Sequence, residues 1–261
     1  MKKELKRAVF KIAAERFETN EIRDYFLDMC EEMPDYIFTM PSSTSGKYHN
    51  ATQCQKFGQI YHEYMFASIL EHLLRLKHIK EEVPTAEARD CMRCVPFFHD
   101  AVKCGWNGSR YTVHDHPLLA AEWVKNTNVE HDIAEDKKDF IANMCASHSG
   151  EWTTSNRSKA VLPEPKTYCE KLIHECDILS SRADLDWIIP QELKDIMGSV
   201  ENDVVPDLAE VATPTIEDYK IDFGKYKGLT IVQLKEVDSD YLRWAKENIT
   251  REPFRTLASA T

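Results

Sequence analysis

No stretch of the 261 residues holds the about 18 consecutive apolar side chains that a membrane-spanning helix needs. Positive charge is also scarce, with 33 Lys and Arg against 44 Asp and Glu and a formal charge of −11. General affinity for duplex nucleic acid or anionic lipid comes mainly from basic side chains, so neither is expected, and nucleic acid could reach only a local basic site. The Lys-rich start does not run into an apolar signal core, because Glu4, Arg7, Lys11 and Glu15 interrupt it, and a cytoplasmic protein is expected. Cys91 and Cys94 form a C-x-x-C pair with no second pair at zinc-site spacing, so the thiols are expected to be reduced and packed. Internal repeats and low-complexity tracts are missing too. The length suits one main domain with room for a small second one.

Against these absences stands CMRCVPFFHDAVK, residues 91–103. On a helix Met92, Val95, His99 and Val102 share one face, which places the His99–Asp100 doublet towards the interior. An ionised carboxylate buried without partners costs several kcal/mol, so the doublet calls for a hydrogen-bond network or a metal ion. Similar residues recur along the chain. His62 shares a helical face with Phe66, Ile69 and Leu73, His148 with Ile141, Met144 and Cys145, and Asp177 follows Ile173 by one turn. His116 stands at a helix entry, before a Pro117 suited to a first helical turn.

The ordered set His62, His99–Asp100, His116, His148 and Asp177 resembles the H…HD…D pattern of the HD-domain superfamily of metal-dependent phosphohydrolases. The two extra histidines match its two-metal members. RDCMRCVPFFHDAVK, VHDHPLLAAEWV, SHSGEW and CDILSSR are similar to its flanking segments, and SSTSGKYHNATQ to a loop of one branch. The likeness covers about residues 40 to 185. It implies an all-α HD-domain helical bundle with two divalent ions, among which Fe, Mn, Ni, Co and Zn are all chemically plausible. His62, His99, Asp100 and Asp177 would hold one ion, and Asp100, His116 and His148 the other. His49 is the rival to His62 as the first ligand.

In this reading Asp100 and Lys103 are catalytic, Lys103 offsetting charge on a phosphoryl group attacked by activated water. Lys47, His49, Arg110 and Arg182 are placed on the substrate side, with Trp106 at the rim, and His174 is expected to orient the Asp177 carboxylate. The implied substrate is a nucleotide, cyclic nucleotide or short oligonucleotide. A diiron oxygenase of the same superfamily and a noncatalytic nucleotide sensor are the alternatives.

In chain order, residues 1–45 read as helices that brace the core, with Asn20 as a cap. Residues 46–200 form the metal-binding domain, in which Pro96 predicts a kink or a late helix start and Thr85 a cap. Helices are expected over about 117–126, 131–149 and 166–182. Residues 201–215 read as an acidic linker and 216–261 as a small module. IDFGKYKGLTIVQLKEVDSDYLRWAKEN resembles short modules appended to some DNA exonucleases and phage proteins, over about residues 221 to 247. Protein or nucleic acid is its expected partner. Its GKYKG lacks the spacing and the Ser/Thr of a nucleotide P-loop.

Overall fold

The computed structural model describes residues 1–43, 48–109, 111–156, 158–185, 187–203, 219–221, 224–249 and 254–259. The fold is all-α. Among the described residues no sheet forms, and pairing is confined to the isolated bridges Ser155–Ser158 and Lys220–Thr230. The chain divides into two compact units, Met1–Asp203 and Val204–Thr261.

The first unit contains α1 (Lys3–Ala14), α2 (Asn20–Glu31), α3 (Gly58–Leu74), α4 (Lys77–Glu82), α5 (Ala86–Phe98), α6 (His116–Asn126), α7 (Glu135–Ser147), α8 (Tyr168–Ser180) and α9 (Gln191–Asp203). Helix α3 is apolar on nearly all sides and buries Ile60, Tyr64, Phe66, Leu70 and Leu74, so it sits inside the bundle against α5 and α8. Helices α6 and α7 form a hairpin whose second arm packs on α5 and α8. Phe10 of α1 and Phe26 of α2 meet Phe97 of α5 edge-on at ring-centroid distances of 5.4 and 5.3 Å, which ties the N-terminal pair to the core.

The entry to α3 is held closely. Phe57 adopts a left-handed φ of 68°, and a Cβ on Gly58 would lie 2.1 Å from the Gln53 carbonyl oxygen. Only glycine fits there. Backbone bonds from Ser42 N to Gln53 O (2.9 Å) and from Gln59 N to Met40 O (3.1 Å) fix the start of the helix that presents His62.

Helix α5 begins at a Thr85 cap that accepts from Ala88 N, so Pro96 does not delay its start. The proline stands inside the helix, two residues before its end. Beyond Phe98 the chain winds in i→i+3 turns, with Ala101 N bonded to Phe98 O and Lys103 N to Asp100 O. Val102 therefore lies outside the helix whose face the sequence extends through it. At α2 the cap position belongs to Thr19 rather than Asn20, and the Thr19 hydroxyl donates to the buried Asp90. Helix α7 starts at Glu135 rather than near 131, and α8 opens with a capping box between Thr167 and Glu170.

The second unit holds α10 (Ile231–Val237), α11 (Ser239–Asn248) and α12 (Phe254–Ser259). Ile221, Tyr226, Ile231, Leu234, Leu242, Ala245, Phe254 and Ala258 form its own small core. A capping box of Thr230 and Gln233 starts α10, and the Tyr226 hydroxyl donates to Asp238, the residue between α10 and α11. No helix among the described residues is long and apolar enough to cross a membrane.

Candidate metal centre

Five segments deliver polar side chains to one cavity of about 300 Å³ in the first unit. Helix α3 supplies His62. The end of α5 supplies His99 and Asp100, and the turn after it Lys103. His116 comes from the first residue of α6, His148 from the residue that ends α7, and Asp177 from α8. One ligand atom from each of His62, His99 and Asp177 lies within 4.8 Å of the others, and the same holds for His99, Asp100 and His148. His116 Nε2 stands 3.0 Å from Asp100 Oδ1 and 3.2 Å from His148 Nε2.

The proton on each ring can be placed from its other contact. A carbonyl oxygen only accepts, so His116 Nδ1 must donate to Val113 O (2.7 Å), His148 Nδ1 to Cys145 O (2.7 Å) and His99 Nδ1 to Pro96 O (3.0 Å). The Ser180 hydroxyl gives its hydrogen to Asp177 O (2.7 Å) and so accepts from His62 Nδ1 at 3.2 Å. In the neutral form of each imidazole Nε2 carries a lone pair; His62, His116 and His148 line the cavity, and His99 Nε2 is fully buried.

This arrangement tests whether a cation fits. His116 Nε2, His148 Nε2 and Asp100 Oδ1 converge on one another. His62 Nε2 and Asp177 Oδ1 do the same at 3.1 Å. His99 Nε2 and Asp100 Oδ1 are buried without any hydrogen bond. Buried polar atoms left unsatisfied cost about 1–3 kcal/mol each, so these nitrogen and oxygen donors suit divalent cations. Histidines tied through Nδ1 to a carbonyl or hydroxyl are the usual support for such ligands.

One network stabilises the Asp100 carboxylate. Asp100 Oδ2 accepts from Lys103 Nζ (2.6 Å) and from Gln59 Nε2 (3.2 Å), while Gln59 Oε1 accepts from Lys103 Nζ (3.1 Å). Burial works against the charge on Asp100, yet Lys103 and His99 hold its carboxyl well below the usual carboxylate range. Burial also works against a charge on His99, but the adjoining Asp100 outweighs it and lifts the imidazole to about 9. Burial pushes His148 down to about 3 and His49 down to about 4, so both rings are neutral at pH 7. Glu63, buried next to His62, is pushed up to about 8 and is protonated there.

The value for His99 sets a pH dependence. A metal ion needs its Nε2 unprotonated, and below pH 9 that nitrogen carries a proton. Binding at pH 7 should therefore release about one proton and strengthen as pH rises towards 9, with no further gain above it. Calorimetric titration of Mn²⁺ in two buffers of different ionisation enthalpy measures the count. A result of zero protons would contradict the assignment of His99 as a ligand.

The other residues singled out by sequence fall differently. His49 and Arg182 line the cavity. His49 Nδ1 lies 2.8 Å from Gln53 Oε1, and its ring packs on that of His62 at 5.3 Å, while it is His62 that meets Asp177. Lys47 and Arg110 lie outside the described residues. Trp106 is exposed and is not among the residues around the cavity. His174 does not orient Asp177: its Nδ1 donates to the His148 carbonyl at 2.7 Å, across to the end of α7. Gln59 and Glu63, absent from the sequence reading, had a signal, since Gln59 stands one turn before His62 and Glu63 one turn after Gln59.

Gly150 explains the SHSGEW segment. Its φ is +62°, and a Cβ there would lie 2.0 Å from His174 Cε1. Gly150→Ala should cost about 1–2 kcal/mol for the left-handed backbone alone. It should also expel His174 and weaken metal affinity about 10-fold, as loss of a ligand's support commonly does. Thermal melting and metal titration check both effects, and unchanged values in both would refute the contact.

Residues 221–250 match the family model described as exodeoxyribonuclease X-like C-terminal. No HD-domain family model matches the chain. Neither the curated proteins nor the solved structures give a match.

Proposed function

We propose that the chain is a cytoplasmic HD-type metal-dependent phosphohydrolase or phosphodiesterase acting on a nucleotide, cyclic nucleotide or short oligonucleotide. The observation that carries this is the convergence of histidine Nε2 atoms and carboxylate oxygens from five segments, each histidine locked from behind through Nδ1. His62, His99 and Asp177 would hold one divalent ion, and Asp100, His116 and His148 a second. Such ions supply Lewis acidity at a phosphoryl oxygen and lower the pKa of water towards neutrality.

The protein's own groups set up that chemistry. Lys103 is bonded to Asp100 and Gln59, so it fixes the carboxylate and adds positive charge to the cavity wall, where charge develops on a phosphoryl group. Arg182 and the hydroxyls of Ser42, Thr112 and Ser149 line the same cavity and offer donors to phosphate oxygens. Neutral His49 brings no negative charge to the entrance. The likeness of the second unit to an exodeoxyribonuclease X-like segment favours a nucleotide-type ester over other phosphate esters. Eight unpaired cysteines suit a reducing compartment.

Metal analysis of the purified protein, combined with a panel of nucleotides, cyclic nucleotides and short oligonucleotides, tests the reading. Phosphate or nucleoside should be released, and chelation should abolish the release. Turnover that persists after the metal is stripped would overturn it, and dioxygen uptake by the iron-loaded protein without phosphate release would point to an oxygenase.

A further inference from the structure

We propose that Trp152 and Arg182 form a nucleobase subsite at the mouth of the cavity, so that the site takes its phosphate ester one nucleotide at a time. This rests on the phosphoryl-directed reading of the metal centre and names what lies at the other end of the substrate.

Both residues follow a ligand on a turn leaving a helix. Trp152 comes four residues after His148 and Arg182 five after Asp177. Trp152 N bonds to Ser149 O at 3.2 Å, and the indole meets the His174 ring edge-on at 6.1 Å. His174 in turn holds the His148 carbonyl, so the indole is placed through the same support as the ligand. The side chain nevertheless remains 56% exposed while lining the cavity. A large flat apolar surface kept wet at the mouth of a polar cavity suits a partner that is flat and leaves with the product.

Arg182 bonds to Ile178 O (3.0 Å) and Ser181 Oγ (3.1 Å), and its guanidinium lies over the Tyr48 ring at 5.4 Å. Among the described residues it has no carboxylate partner, which leaves its plane and charge for a ligand. A base stacks on indole and guanidinium faces, whereas a lipid tail would need more apolar lining than Ile178 and Trp152 provide. About 300 Å³ lies at the small end of the roughly 300–1,000 Å³ range of ligand pockets, room for one nucleotide rather than several.

The test is calorimetric binding of adenosine 5′-monophosphate and of ribose 5-phosphate, which lacks the base, to the full chain with Mn²⁺. The wild type should bind the nucleotide at least about 10-fold more tightly. Trp152→Ala should erase that preference, and Trp152→Phe should keep most of it. An equal affinity for the two probes in the wild type, or a preference that survives Trp152→Ala, would overturn the subsite. Loss of hydrolysis on every ester with the preference intact would defeat the hydrolase reading and leave the subsite standing. Hydrolysis of base-free esters with no preference would do the reverse.

Discussion

Asp100→Asn should lower phosphate release at least about 10³-fold and abolish tight metal binding while the helical fold persists. The size follows from the removal of the charged member of the Asp100, His116 and His148 group of donors, on a reaction whose catalysis is mainly electrostatic. The survival of the fold follows from geometry. In the native chain Oδ2 is held by Lys103 at 2.6 Å and Gln59 at 3.2 Å, and Oδ1 faces His116 Nε2 at 3.0 Å. An asparagine can place its amide oxygen towards Lys103 and its N–H towards the His116 lone pair. The amide hydrogen then stands where a cation would, which blocks the site and satisfies both neighbours. Asp100→Ala is a different experiment, because it leaves the buried Lys103 ammonium with Gln59 as its remaining partner and should cost about 3–5 kcal/mol. Metal content by mass spectrometry, phosphate release and far-ultraviolet circular dichroism of the two variants separate chemistry from stability. A native rate in the folded Asp100→Asn protein would end the assigned mechanism.

The residues able to carry a lone pair or a charge on an apolar helical face were visible in the sequence because spacing of 3.6 residues is a local property. That is why His62, His148 and Asp177 could be named before their separation was known. The all-α class came from the resemblance of the motif set, and the fold is all-α. Spacing failed where a backbone contact from a distant segment decides the outcome. His174 lies three residues before Asp177, and that spacing suggested a shared face. Gly150, by coming close enough to exclude a Cβ, instead lets His174 reach the end of α7. The face drawn through Val102 assumed that the helix continues, whereas α5 stops at Phe98 and the chain turns more tightly. Gln59 and Glu63 were passed over because an uncharged amide and an acid beside a histidine look like solvated helix positions. Their burial comes from the packing of α3 inside the bundle, which no local pattern encodes.

Asp90→Ala should be the most destabilising single change away from the cavity, by about 3–5 kcal/mol. Asp90 lies nine residues before His99, about 13 Å along the axis of α5, and is fully buried. Its carboxylate accepts from Glu18 N at 3.0 Å, Thr19 N at 2.7 Å, Thr19 Oγ1 at 2.8 Å and Arg93 Nη1 at 2.7 Å. The Thr19 and Glu18 donors open α2, so one side chain on α5 takes the place of the missing cap and clamps the N-terminal helices to the bundle. Removing it strands two backbone N–H groups. Arg93 keeps Glu18 and Glu71, at 2.8 and 3.0 Å, so the guanidinium is not left without a counter-charge and the cost stays below that of a fully orphaned ion. For a unit of this size each kcal/mol lowers the melting temperature by about 2–4 °C, which gives a fall of about 10 °C. Asp90→Asn, which retains one acceptor for Thr19 N, should fall between the variant and the wild type. Metal affinity measured well below both transitions should not change, because the clamp acts on α2 and not on the ligands. A melting temperature within about 2 °C of the wild type would show that the N-terminal helices are held by their aromatic packing alone.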